Sequence, residues 1–255
     1  MRPPPSPSAR PEADRELLDG DDLDVRAQQA ALGELRRVNR WLLGHRSVHR
    51  TLLGRLASGP AEQRLLDIGA GGGEVAEGLV RRARVAGRRV RLIGLDRKLG
   101  HLLAGGARRR SQLRVVADAR HLPLRDGAVD WSLSTLFFHH LDEDGNRRVL
   151  AEMRRVARRG AAVVDLRSSP LARRLGPLLI AGLGVGRVTR HDGRLSLARA
   201  WSLAAVAGLV AGQPVEELRR RFPFRFSLVL AGGGGASRPA VLPTHQPPAA
   251  AELRP

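Results

Sequence analysis

The chain has 255 residues, 42% of them apolar, which suffices for one large α/β domain or two small ones. It contains no cysteine, which excludes disulfides, thiolate nucleophiles and cysteine-ligated metal centres and is compatible with a cytoplasmic setting. Its 44 basic residues against 25 acids give a formal charge of +19, but Lys98 is the only lysine and aromatics reach 3% with no tyrosine, so a surface that stacks single-stranded bases is poorly supplied.

The opening MRPPPSPSARPEAD is proline-rich and lacks the apolar core of an export signal. Residues 1–24, with three arginines against seven acids, are expected to form a disordered leader outside the fold. Residues 25–60 read as a helical preface. Asp24 is placed to cap a helix with Val25, Leu32, Leu35, Val38 and Leu42 on one side, and Gly44 separates it from a second stretch through His49, Leu52, Leu53 and Leu56. The run RLLDI at 64–68 then leads into a glycine cluster and a helical pattern over 75–84. Further short apolar runs follow at 90–96, 113–118, 128–134 and 161–165, with a short helix after the first and another at 146–159; a late strand is expected at 224–230. This alternation predicts an α/β domain over 61–231 with a doubly wound, mostly parallel sheet. The apolar stretches 175–186 and 200–215 are too short to cross a bilayer and read as buried or interfacial. The arginines of the 146–159 helix are expected on solvated faces, with a polyanion or an anionic membrane as the alternative partner. Residues 232–255, rich in Gly, Pro and Ala, are expected to form a flexible tail.

The sharpest local signal is DIGAGGG at 67–73, between the first strand and its helix. Glycines at 69, 71 and 73 let the backbone turn tightly and approach a ligand closely. The dinucleotide fingerprint needs a glycine at 74, where Glu74 stands and would meet a pyrophosphate with a like charge. A phosphate-free, positively charged ligand suits Asp67 and Glu74 better. Asp96 ends the second strand, where a carboxylate accepts both hydroxyls of a ribose, and Asp118-Ala119 ends the third.

These segments, LLDIGAGGGE, LIGLD, VVADARHLPLRDGAVDWSLSTLFFHHL and AAVVDL, in this order and spacing, resemble the class I S-adenosylmethionine-dependent methyltransferases over residues 62–230. The resemblance implies a Rossmann-like fold with a seven-stranded sheet and S-adenosyl-L-methionine as cofactor. It also implies a cofactor-binding set of Asp67, Gly69, Ala70, Gly71, Gly73, Asp96, Arg97, Asp118 and Ala119. In that set the 69–73 loop passes under the methionine part, Asp67 lies near its amino group, Asp96 holds the ribose, and Asp118 with the Ala119 backbone reads the adenine edge. The segment FFHHL looks like the family's stretch beside the transferable methyl, which makes His140 and His139 candidate bases; the alternative is that they only shape the loop. His191, next to Asp192, is a third candidate, although a turn at Asp192-Gly193 explains the same residues. No metal site is expected, because adjacent histidines seldom face one ion and no acidic partner motif accompanies them.

An insertion at about 166–199 is expected to cover the acceptor pocket, and its apolar content suggests a greasy small molecule such as a quinol, phenolic lipid or polyketide, methylated on oxygen or carbon. The resemblance extends to a small-molecule, quinone-biosynthesis-like branch. RNA methylation and a non-catalytic cofactor-binding role are the alternatives. Nucleic acid is not expected as a partner, since Ser134-Thr135-Leu136-Phe137 stands where base-amino methyltransferases carry an Asn/Asp-Pro-Pro-aromatic tetrapeptide. Peripheral membrane contact and the oligomeric state stay open.

Overall fold

A computed structural model of the protein describes residues 16–20, 25–41, 44–104 and 113–234. Seven strands form one sheet: β1 Glu62–Ile68, β2 Arg89–Asp96, β3 Leu113–Val116, β4 Val129–Thr135, β5 Ala157–Leu166, β6 Val215–Arg221 and β7 Arg225–Ala231. Their spatial order is β3-β2-β1-β4-β5-β7-β6, with β7 antiparallel to both neighbours and the other pairs parallel. β1 pairs with both β2 and β4, so the chain reverses its direction of travel across the sheet there and a crevice opens at the carboxyl ends of those strands.

The central strands read as near-continuous apolar runs because both faces are covered. Successive side chains point to opposite faces, so Leu66, Val163 and Leu228 meet α6 (Glu143–Val156) and α9 (Leu203–Leu209) through Val149, Met153 and Val206. Their neighbours Leu65, Val164 and Val229 meet α4 (Glu74–Val85) and the helical preface through Leu79, Leu52 and Leu56. The preface consists of α1 (Val25–Trp41), then α2 (Gly44–Val48), which continues through a π-helical turn at His49–Leu53 into α3 (Gly54–Ala57). A short α5 (Leu99–Leu103) follows β2, and α7 (Pro170–Gly182) and α8 (Arg187–Arg199) follow β5.

The structure departs from the sequence expectations at several places. Helix α6 starts at Glu143, where the Asp142 carboxylate accepts the Gly145 N–H at 2.8 Å, and it ends at Val156, so Arg158 and Arg159 belong to strand β5. Arg147 and Arg148 are exposed as expected, but three of the four α6 arginines also bond within the fold. Arg154 donates to the Ala231 carbonyl and Gln213, Arg147 to the Leu209 carbonyl, and Arg155 to Glu152, Asp126 and the Leu124 carbonyl. Strand β6, VEELRRR, has no apolar run; it is an edge strand on which Glu216, Arg219 and Arg220 are exposed, while Glu217 and Arg221 bond each other and Ser227. Asp192 and Gly193 lie inside α8 and form no turn.

Residues 16–20 contradict the expectation of a leader that is disordered throughout: Leu17–Asp19 form a 3-10 turn, and Glu16 and Leu18 are buried. The remaining leader residues, Leu42, and the tail from 235 onward lie outside the described residues.

Candidate active site

The crevice at the switch point widens into a cavity of about 610 Å³, within the range of small-molecule sites. On one side runs the loop after β1, where Gly69, Gly71 and Gly73 take φ values of +65°, +49° and +73°, a region that side chains disfavour. A Cβ on Gly69 would stand 2.7 Å from the Phe137 ring, whereas one on Gly71 would meet open space. Gly73 caps α4 and does not line the cavity; Gly72 and Glu74 do. Asp67, Ala70, Arg97, Asp118 and Ala119 also line it.

Asp96, at the end of β2, accepts the Gly71 N–H on Oδ2 at 2.9 Å and the Lys98 N–H on Oδ1 at 3.0 Å, which fixes the carboxylate plane. Oδ2 keeps a further lone pair for a hydroxyl, whereas a second hydroxyl at Oδ1 would share that oxygen with His101. His101 Nδ1 stands 3.4 Å from Oδ1. Burial pushes the Asp96 carboxyl upward, but the hydrogen bonds from His101, Lys98 and Gly71 outweigh it, and the group is held ionised below its ordinary range. Asp118 is already gripped by Arg120, which donates to both carboxylate oxygens and holds it at about 2. Its side chain therefore meets a ligand as half of an ion pair.

Across the cavity, β4 ends in Leu136, which adopts φ +54°, and a 3-10 turn at Phe138–His140. The anchor of this turn is Asp165, fully buried at the end of β5. Its Oδ2 accepts the Phe137 and Phe138 N–H groups at 2.8 and 2.7 Å, and its Oδ1 lies 2.7 Å from His139 Nδ1. Burial opposes the Asp165 charge, yet His139 and the backbone donors outweigh it and hold the carboxyl below its usual range. An ionised Asp165 can only accept, so Nδ1 of His139 carries the hydrogen and in the neutral ring Nε2 keeps its lone pair. His139 and His140 both line the cavity, with ring centroids 4.3 Å apart. Two residues that the sequence did not single out complete this wall, Asp165 and Glu16.

Glu16 enters from the N-terminal segment. Its carboxylate accepts from Ser196 Oγ at 2.9 Å and lies 3.7 Å from His140 Nδ1 and 3.6 Å from Arg199. Potential ligand atoms of Glu16, His139 and His140 lie within 4.8 Å of one another, so an acidic neighbour does accompany the histidine pair. The Arg199 guanidinium already supplies the positive charge that carboxylate faces. The same N-terminal turn is held by Asp192, which accepts the Leu17 and Leu18 N–H groups at 2.7 and 3.1 Å, and by Lys98, which donates to the Gly20 carbonyl. Burial pushes the Asp192 carboxyl up to about 6, against those two donors. His191, by contrast, does not line the cavity; of that pair it is Asp192 that does, and its carboxylate is spent on the N-terminal turn.

The roof is apolar: Leu18, Leu32, Leu35 and Val38 come from the N-terminal turn and α1, and Leu179 and Ile180 from α7. Glu34 ties α1 to the start of α8 by accepting Thr189 Oγ1 at 2.6 Å and the Gly186 N–H at 2.9 Å. The preface thus serves as a cavity wall as well as a cover for the sheet.

Residues 66–164 match the sequence model of the family described as a methyltransferase domain. No curated protein matches the chain. Among solved structures, the fold is similar to that of an S-adenosylmethionine-dependent methyltransferase from Aquifex aeolicus (17% identity, 71% of this chain and 89% of that one, TM-score 0.50). It is also similar to a Haloferax volcanii chain solved with the Trm112 methyltransferase activator (18%, 86% and 99%, 0.54) and to the PH0226 protein of Pyrococcus horikoshii (18%, 74% and 91%, 0.51). The match over residues 66–164 is to a methyltransferase domain, whose methyl donor would be S-adenosylmethionine. The crevice fits that group, a phosphate-free nucleoside bearing a sulfonium and an ammonium. Asp67, Glu74 and Asp96 line the cavity, and the loop leaves open space over Gly71. Three neighbouring cations are drawn off, Arg120 to Asp118, Arg199 to Glu16 and Lys98 to backbone carbonyls, while the cavity-lining Arg97 is exposed to water.

Proposed function

We propose that this protein is an S-adenosylmethionine-dependent methyltransferase acting on a hydroxyl of an apolar small molecule, such as a quinol, a phenolic lipid or a polyketide. The observation that carries the reading is the buried Asp165–His139 pair, Nδ1 to Oδ1 at 2.7 Å, on the wall of a cavity roofed by leucine, valine and isoleucine. Bound S-adenosylmethionine supplies an electrophilic methyl group on sulfur. Asp96 would hold the ribose diol, Asp67 would face the amino group, and the 69–73 loop would lie under the methionine part. Asp118, shared with Arg120, and the Ala119 backbone would meet the adenine. His139, oriented by Asp165, takes the acceptor's hydroxyl proton on Nε2 as the oxygen becomes the nucleophile. Holding donor and acceptor in contact in a water-poor cavity is the larger contribution, up to about 7–11 kcal/mol. The RNA alternative rests on the basic body, and part of that charge is spent within the fold, Arg154 on the Ala231 carbonyl and Arg155 on Glu152 and Asp126.

The test is to incubate the purified protein with labelled S-adenosylmethionine and a host metabolite extract, fractionated by polarity. Label is expected in the apolar fraction. His139→Gln is expected to lower turnover about 100-fold or more with cofactor affinity within about twofold of the parent. Label confined to RNA, or an equal loss of affinity and turnover, refutes the assignment.

A further inference from the structure

Helix α7 is apolar on two opposite sides. Ala172, Gly176 and Ile180, spaced by four, are buried beneath it, whereas Leu171, Leu175 and Leu178 form a stripe on the other side and are exposed, Leu178 at 69%. Phe222, in the turn between β6 and β7, is 76% exposed, and the next two residues, Pro223 and Phe224, line the same cavity as α7's Leu179 and Ile180. Two elements at one cavity therefore each present a large apolar side chain to water, in the way that marks interaction sites. The surrounding charge is one-signed. Residues 166–199 contain seven arginines and a single acid, Asp192, which is buried. Arg173, Arg174, Arg187, Arg190 and Arg194 are exposed.

We propose that this face docks on an anionic lipid bilayer, with the α7 leucines and Phe222 entering the acyl boundary and the arginines meeting lipid phosphates. A second copy of this chain fits the face poorly, because a two-fold contact sets the same arginines against each other. A nucleic acid would engage the guanidiniums and leave the leucines in water. The docking stands on these observations alone. Its consequence for the reaction, that the acceptor passes from the lipid phase through the α7 wall into the cavity, rests on the function proposed above and names the acceptor class as a membrane-soluble hydroxyl compound.

Co-sedimentation with vesicles tests the docking without any acceptor. With equal parts phosphatidylcholine and phosphatidylglycerol, most of the protein is expected in the pellet; with phosphatidylcholine alone, most in the supernatant. Leu171→Glu/Leu178→Glu, neither of which lines the cavity, is expected to lower partition at least about tenfold with circular dichroism and cofactor affinity unchanged. If that variant fails to fold, Arg173→Gln/Arg174→Gln decides, with weaker binding expected to the anionic vesicles. The proposal is overturned if the anionic vesicles do not retain the protein, or if the folded leucine variant binds them as the parent does. It is also overturned if the leucine stripe mediates a dimer that the double substitution abolishes. None of these outcomes bears on methyl transfer, so the function proposed above stands or falls separately.

Discussion

Replacing Asp165 by Asn tests the anchor on which the acceptor wall depends. The carboxylate accepts hydrogen bonds from Phe137, Phe138, Leu166 and His139 at 2.6–2.8 Å, two on each oxygen. It is also the charge that stabilises the buried Arg225 guanidinium, which burial pulls down to about 10 even against the Asp165 charge. An asparagine offers one carbonyl and one NH2. Whichever way the amide turns, one pair of donors faces another donor, at about 1–3 kcal/mol for each orphaned group, and Arg225 loses its counter-charge. Breaking a buried pair by removing one partner costs about 3–5 kcal/mol. The two losses overlap, so a net loss of about 4 kcal/mol is expected, enough to leave the protein folded but marginal. Urea unfolding followed by the fluorescence of the three tryptophans measures it. The double variant Asp165→Asn/Arg225→Met separates the charge from the hydrogen bonds, and it should lose less than the sum of the singles by at least about 1 kcal/mol. A loss under about 1 kcal/mol for Asp165→Asn, or strict additivity in the double variant, would refute this account of the wall.

Gly69→Ala should weaken S-adenosylmethionine binding by at least about tenfold in calorimetry, because φ +65° and the Phe137 ring at 2.7 Å both oppose a methyl group there; unchanged affinity would mean that the loop relaxes freely. Asp192 carries a pH signature. Its folded pKa of about 6 lies above the unfolded value of about 3.9, so the folded chain binds the extra proton and loses stability as pH rises between those values, by up to about 3 kcal/mol. Asp192→Asn should therefore raise the melting temperature relative to the parent more at pH 7.5 than at pH 4.5, and the opposite ranking would show that the two N–H donors outweigh burial.

The loop after β1 and the carboxyl ends of β1 and β2 were legible because their constraints are local. A glycine triplet at alternate positions and an acid at the end of each successive strand are statements about φ angles and strand termini, and Asp67, Gly69, Gly71 and Asp96 stand where the pattern puts them. The opposite wall of the cavity was less legible because its contacts are long-range. Nothing around Glu16 marks it as a partner of His140, and Asp192 beside Gly193 carries the composition of a turn although α8 packing keeps it helical. Strand β6 escaped because edge pairing with β7 needs backbone groups and no apolar pattern. The α6 arginines look solvated by periodicity, yet guanidiniums reach carbonyls as far away as Leu209 and Ala231.

The Leu18–Asp192 hydrogen bond closes a loop of 174 residues. Contacts of that span are the slowest to find by diffusion of the chain, so the ceiling of the reaction chamber is assembled after the parallel sheet is in place. Its few polar fastenings, to Asp192, Lys98 and Ser196, can also release without disturbing any strand. The 16–20 segment is thus a late-docking cover, held in part by a carboxyl that burial pushes up to about 6.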